Sequence, residues 1–250
     1  MKKLSKVAKH RFFSFVAGVY NKRTAVIRPG FKAVSFTFDD APTSAFSFGG
    51  KLLSNNGFKG TYYMSLRLLG QESKGGRILN SNELKELYED GHEIGCHTAD
   101  HCDAWSVSPS YFEQSILDNS QLFGEHLPQA KIANFSFPKG SATPKVKAVV
   151  QKYFDCCRGI QLGINKNTID LNLLKTIPIF SNKRYSHKIY SYISSVSKNN
   201  GWLIFYTHDI RDDHGPYGCK PDLYKSVLDE VIKQNIPVLS VSEALSKGLA

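Results

Sequence analysis

Ala33-Val34-Ser35-Phe36-Thr37-Phe38 runs directly into Asp39-Asp40, and the fold turns on how this stretch is read. Apolar and small polar residues alternate along it, the period of a β-strand whose side chains point in turn to opposite faces. Two carboxylates then arrive where the strand stops. The same punctuation recurs downstream. Residues 92–97 lead into His97-Thr98-Ala99-Asp100-His101, residues 132–137 into Pro138-Lys139-Gly140, and residues 202–207 into His208-Asp209. In barrels of alternating strands and helices the chemistry sits at the C-terminal rim of the strands, so functional residues are scattered through the sequence as strand endings.

Strand-like runs fall near 33–38, 59–64, 92–97, 132–137, 153–158, 176–180, 202–207 and 236–241. Helical patterns stand between them and are marked by their caps. Asn82 precedes Glu83-Leu84-Lys85-Glu86-Leu87-Tyr88 with Gly91 beyond its end, Ser108-Pro109 opens a segment to Phe123, and Thr143-Pro144 opens one to Lys152. Such alternation implies an α/β protein with a mainly parallel sheet. The stretch 163–169 reads as a loop, and 212–218 as a long loop beside the site, where His214 or Tyr217 can reach a substrate. At 250 residues, 41% of them hydrophobic, the chain suits one α/β unit with a sizeable core. No run approaches the ~18 apolar residues needed to cross a bilayer.

The strand endings offer a metal site. Catalytic zinc takes three protein ligands, often two histidines and a carboxylate, and keeps one position open for water. His97 and His101, four residues apart, can converge on one ion in a tight loop or helical turn, with Asp40 as the natural third ligand. Because neighbouring strand residues face opposite ways, Asp39 is left free to act on the substrate water as a base. Each piece also has a plainer reading. Asp-Asp-Ala-Pro is common turn chemistry, and two histidines at this spacing occur by chance.

These residues carry a resemblance. Thr37-Phe38-Asp39-Asp40 resembles the first motif of the polysaccharide deacetylase family, the NodB-like carbohydrate esterases, and His97-Thr98-Ala99-Asp100-His101 resembles the second. Ser136-Phe137-Pro138-Lys139-Gly140 is similar to the third with Ser136 in place of its arginine, and Phe205-Tyr206-Thr207-His208 resembles the last. The fourth motif, an aspartate that orients the catalytic histidine, has no clear counterpart. The resemblance implies an irregular (β/α) barrel of about seven strands over roughly residues 30–245. It further implies a divalent metal, usually zinc, with Co²⁺ or Ni²⁺ as substitutes, on Asp40, His97 and His101, with Asp39 as base and His208 as acid. The backbone N–H of Lys139, in the turn that follows Pro138, would face the oxyanion. The implied activity is removal of N-acetyl groups from a sugar of a surface polysaccharide or its precursor. O-acetyl ester or non-sugar amide hydrolysis and a non-catalytic sugar-binding relative are the alternatives.

The missing third-motif arginine normally holds the catalytic aspartate, and Arg158, at the end of a strand-like run, is the candidate to replace it at the site. Asp170 and Asp209 are conceivable partners for His208. Trp105, Tyr185, Trp202 and Tyr217 are the aromatics available for stacking on sugar rings.

Charge divides the chain. The net charge is +10, and residues 1–32 hold Lys2, Lys3, Lys6, Lys9, Arg11, Lys22, Arg23, Arg28 and Lys32 without a single acid. The remainder is nearly neutral, which argues against a nucleic-acid groove across the catalytic body. Residues 1–30 therefore read as a basic amphipathic extension ahead of a catalytic domain at 31–250, with residues 1–25 suited to peripheral contact with an anionic membrane. No cleavage site follows the short apolar stretch, and five cysteines without a Cys-x-x-Cys pair suit free thiols better than disulfides or a Cys/His zinc site. A cytoplasmic location at the inner face of a membrane is the expectation.

Overall fold

The structure is a computed structural model that describes residues 15–250, apart from the side chains of residues 183–185. Seven parallel strands close into a barrel: β1 (Lys32–Asp39), β2 (Thr61–Met64), β3 (Glu93–Cys96), β4 (Asn134–Ser136), β5 (Cys156–Leu162), β6 (Leu174–Pro178) and β7 (Gly201–Thr207). Each strand pairs with the next in sequence, and β7 closes the ring on β1 along a seam from Gly201↔Lys32 to Thr207↔Phe38. At the other extreme β3 and β4 meet through Cys96↔Phe135 alone.

Helices α1 (Lys51–Asn55), α2 (Ser81–Glu89), α3 (Pro109–His126), α4 (Pro144–Val150), α5 (Lys183–Asn199), α6 (Pro221–Lys233) and α7 (Val241–Gly248) complete the alternation. Their starts follow cap chemistry. Ser108 and Thr143 accept from backbone N–H groups three residues on, with proline at the first helical position of each. The α2 cap is Asn80 rather than Asn82, because Asn80 and Glu83 form a reciprocal capping box two residues earlier than the sequence pattern suggested. No helix among the described residues is long and apolar enough to cross a membrane.

Alternation along β1 sorts its side chains into two layers. Phe36 and Phe38 turn outward to the helices, where Phe38 stacks on Tyr62 at 4.4 Å and Phe36 meets Tyr224 of α6 edge-on at 5.6 Å. Ala33, Ser35, Thr37 and Asp39 make up the other face. At its lower end Ala33 packs with Cys156, Leu174, Trp202 and Ile204, and the Trp202 indole N–H donates to Ser35 Oγ at 2.9 Å. Trp202 is fully buried there and is not a sugar platform.

The eighth strand-like run, 236–241, is not a strand. Val238 makes a single bridge to Val34, after which Ser240 caps α7. Pro237 has no N–H to continue a ladder. Helix α7 instead seals the lower mouth, held by half-buried Glu93, whose carboxylate accepts from Thr61 Oγ1 at 2.6 Å and from the N–H groups of Val241 at 2.9 Å and Ser242 at 3.1 Å. The stretch 163–169 read as a loop ends in a short strand, Thr168–Asp170, which pairs antiparallel with Thr24–Val26. Residues 15–19 are helical, and Lys147 Nζ donates to Ala17 O at 2.7 Å and Tyr20 O at 3.0 Å while pairing with Asp170 at 2.7 Å. Of the basic extension read at 1–30, residues 1–14 lie outside the described residues.

Candidate metal centre

The upper ends of β1, β3, β4 and β7 bring the candidates together, with Arg158 reaching them from within β5. Asp40, His97 and His101 each present a ligand atom within 4.8 Å of the other two. The two imidazole Nε2 atoms stand 3.7 Å and 3.4 Å from Asp40 Oδ1, which is buried and has no hydrogen-bond partner among the described residues. A buried carboxylate oxygen facing two ring nitrogens costs free energy unless a cation or proton joins them. His97 Nδ1 lies 2.7 Å from the carbonyl of Ser136. A carbonyl only accepts, so Nδ1 carries the proton and Nε2 keeps its lone pair for a metal. Burial pushes His97 down to about 4, so the ring is neutral, the ligating form, at physiological pH. The donor set fits a divalent ion that takes imidazole and carboxylate, as zinc does.

The backbone bends to achieve this. Asp40, Ala41, Thr98, His101 and Lys139 all have left-handed φ, from 49° to 60°. The other non-glycine residues with positive φ, among those described, are Asn21, Asn167, Asn200 and Asn235, all of the type that tolerates it. Strain in aspartate, alanine, threonine, histidine and lysine is thus concentrated at one rim, as is common where surrounding structure over-determines a functional geometry.

Asp39 is outside this ligand set. Its carboxylate accepts from Arg158 Nη2 and from Ser136 Oγ at 3.4 Å, and Arg158 also reaches Ser136 Oγ at 2.5 Å. The guanidinium is buried and lies 5.0 Å from the ring centres of both Tyr63 and Tyr206. Ser136 and Arg158 are register partners on adjacent strands, so Arg158 projects from beside the position of the missing third-motif arginine. Burial alone would raise the Asp39 carboxyl, but the charges of Arg158, His97 and His208 outweigh it and bring the value down to about 2. Arg158, the candidate to replace the missing third-motif arginine, thus lies buried behind Asp39, out of reach of a substrate or oxyanion.

His208 stands across the site, its Nε2 3.8 Å from Asp40 Oδ2. Its ring lies beside Tyr217 at 5.5 Å and Phe180 at 6.4 Å, and its Nδ1 has no hydrogen-bond partner among the described residues. Neither conceivable aspartate orients it. Asp170 pairs with Lys147 and the backbone of Arg23, and Asp209 Oδ2 accepts from Gly215 N at 2.7 Å and Arg211 Nε at 3.2 Å, bracing the loop that carries His214 and Tyr217. Pro138 is buried in the turn that presents exposed Lys139. Tyr217 is 58% exposed beside His208, whereas the indole N–H of Trp105 donates to Ala142 O. The Tyr185 side chain lies outside those described. Tyr63 was not singled out from the sequence, nor were the contacts that Tyr206 and the Ser136 hydroxyl make with Arg158. Their only signal was alternation, which puts every second residue of a barrel strand on the same face.

All five cysteines are free and buried, and no Cys/His cluster joins the metal-ligand group among the described residues. His92 is structural. It accepts from Gly60 N at 3.0 Å, and burial drives it down to about 4.

Comparison with known proteins places this geometry. Residues 27–153, just over half of the chain, match the family model described as polysaccharide deacetylase. A chitin deacetylase of Arthroderma benhamiae is 23% identical over 224 residues, covering 85% of this chain and 51% of that protein. The chain spans about half the length of the curated relatives it matches. Among solved structures, the chitin deacetylase of the fungal pathogen Colletotrichum lindemuthianum superposes with a TM-score of 0.63 at 15% identity, over 88% of each chain. A family 4 acetyl xylan esterase from Clostridium thermocellum, in complex with a cobalt ion, does so with a TM-score of 0.57 at 16% identity, over 86% of this chain and 91% of that one. The barrel, the strand-end motifs and the family match agree, and the chain belongs to the polysaccharide deacetylase family.

Proposed function

We propose that the protein is a divalent-metal-dependent hydrolase that removes N-acetyl groups from a sugar of a surface polysaccharide or its precursor. The observation that carries this reading is the pairing of the Asp40 oxygen, partnerless among the described residues, and two histidines with a second, ionised carboxylate, Asp39, beside them. A ligand set alone serves binding, but a carboxylate outside that set, kept ionised next to it, serves proton transfer.

Asp40, His97 and His101 would hold a zinc, cobalt or nickel ion, which would supply Lewis-acid polarisation of the acyl carbonyl and a lowered pKa of the attacking water. Asp39 takes the proton of that water, and Arg158 keeps it ionised and in place. The backbone N–H of Lys139 donates to the developing oxyanion. His208, whose Nε2 lies 3.8 Å from Asp40 Oδ2, delivers a proton to the leaving nitrogen, which departs poorly as an unprotonated amide. Tyr217 offers its face to the sugar ring next to the scissile group.

A second reading, hydrolysis of O-acetyl esters, is favoured by one observation. Among the described residues His208 Nδ1 has no acceptor to orient the ring, and an alcohol leaving group depends less on a well-held acid than an amine does. Acetate release from a matched panel of N- and O-acetylated glycans separates the two. Asp39→Asn should abolish release while zinc stays bound, and His97→Ala should lose zinc, both read by calorimetric titration. An Asp39→Asn protein that turns over at the parental rate refutes the assigned base.

A further inference from the structure

The helical turn 15–19 presents one face to the protein and one to solvent. Ala17 is buried and Gly18 lies against Gln161, while Phe15 is 69% exposed, Val19 48% and Tyr20 59%. Phe15 and Val19, four residues apart, share a side of the turn. Docking is secured by Lys147, whose ammonium accepts no role in the metal centre and instead donates to the carbonyls of Ala17 and Tyr20. The turn is thus held with its large apolar side chains outward. Leu162, at the end of β5 next to Gln161, is 52% exposed as well.

Beside this apolar ridge runs a groove of about 180 Å³, lined by Gly18, Lys22, Gln161, Lys166, Lys175 and Asp170 among others. Its three lysines are exposed. Asp170, the acid in the lining, is already engaged by Lys147 Nζ and by the N–H groups of Arg23 and Asn172, so it does not neutralise them. The residues that lead into Phe15 carry Lys2, Lys3, Lys6, Lys9 and Arg11 and no acid, extending the same sign. An apolar ridge flanked by uncompensated lysines suits a boundary where hydrocarbon lies next to phosphate.

We infer that this face, comprising Phe15, Val19 and Tyr20 with the groove lysines Lys22, Lys166 and Lys175, docks the protein on an anionic phospholipid bilayer. The aromatic and aliphatic side chains enter the acyl boundary, and the lysines meet lipid phosphates. The surface is independent of the metal centre and shares no residue with it.

Sedimentation of the full chain with vesicles tests this. Phosphatidylcholine doped with phosphatidylglycerol should retain the protein at low salt and release it at high salt, and phosphatidylcholine alone should retain little. Lys22→Gln, Lys166→Gln and Lys175→Gln together should weaken partition on the order of a hundred-fold. Phe15→Ser with Val19→Ser should weaken it on its own. Circular-dichroism melts of both variants guard against misfolding, and the salt dependence of the parental chain stands without them. Equal binding to neutral vesicles overturns the proposal. So does unchanged binding of both variants, which would assign the contact to residues upstream of Phe15 alone. Full displacement by millimolar inorganic phosphate with Phe15→Ser/Val19→Ser unaffected would mark the groove as a site for soluble anions and equally overturn it.

Discussion

Arg158→Met strips the countercharge from Asp39 without opening a large cavity. With the pair intact the carboxyl sits at about 2 against an ordinary 3.8. That depression corresponds to about 2 kcal/mol of stability, fully present above pH ~4 and lost as the pH falls through about 2. Removing one member of a buried ion pair costs about 3–5 kcal/mol, because the other charge is left desolvated. For a chain of this length the melting temperature should fall by roughly 6–20 °C. Burial, no longer opposed by its strongest counterweight, then drives Asp39 upward, so the acid limb of the pH profile of kcat/KM should move to higher pH. Loss of a positioned base costs on the order of 10²–10⁴ in rate. Because Ser136 and Arg158 are register partners and both touch Asp39, Ser136→Arg combined with Arg158→Ser should return much of the lost rate and move the acid limb back. The assay is acetate release across pH, with melting curves and zinc titration in parallel. A folded Arg158→Met protein with an unmoved acid limb and kcat/KM within about threefold of the parent would refute the reasoning, as would a double variant no better than Arg158→Ser.

Glu93→Ala removes the carboxylate that holds α7 across the lower mouth; losing its backbone contacts should cost about 2–3 kcal/mol and roughly 4–12 °C of melting temperature. Rate at room temperature should be nearly unchanged, since Glu93 is at the opposite end of the barrel from the ligands. Tyr217→Ala should raise KM for the glycan several-fold with little change in kcat, measured as initial rates on a defined oligosaccharide; a fall in kcat alone would mean that Tyr217 supports His208 rather than the sugar.

Much of the barrel was legible because its strands are buried on both faces and read as continuous runs ending in polar residues. β1, β2, β3 and β7 lie within two residues of the runs at 33–38, 59–64, 92–97 and 202–207. β5 was placed too early, since Tyr153 and Phe154 look strand-like but close the turn after α4. The run at 236–241 misled because apolar alternation at a strand start and at a helix entrance is the same over a few residues. At the site, Asp40, His97 and His101 could be grouped from ligand chemistry alone. The stacking of Arg158 between Tyr63 and Tyr206 could not, because it depends on which strands become neighbours. Likewise nothing in Trp202 as a residue type announces that it fills the lower barrel.

The seam between β7 and β1 has a further consequence for how the chain is made. Lys32 finds its partner only in Gly201, so on the ribosome β1 waits for almost the whole polypeptide before its second edge is covered. At ~5–20 residues per second that delay is on the order of ten to thirty seconds, during which an apolar strand edge stands open to pairing with other nascent chains. Soluble yield should therefore respond to growth temperature and chaperone supply more than the thermal stability of the finished barrel suggests.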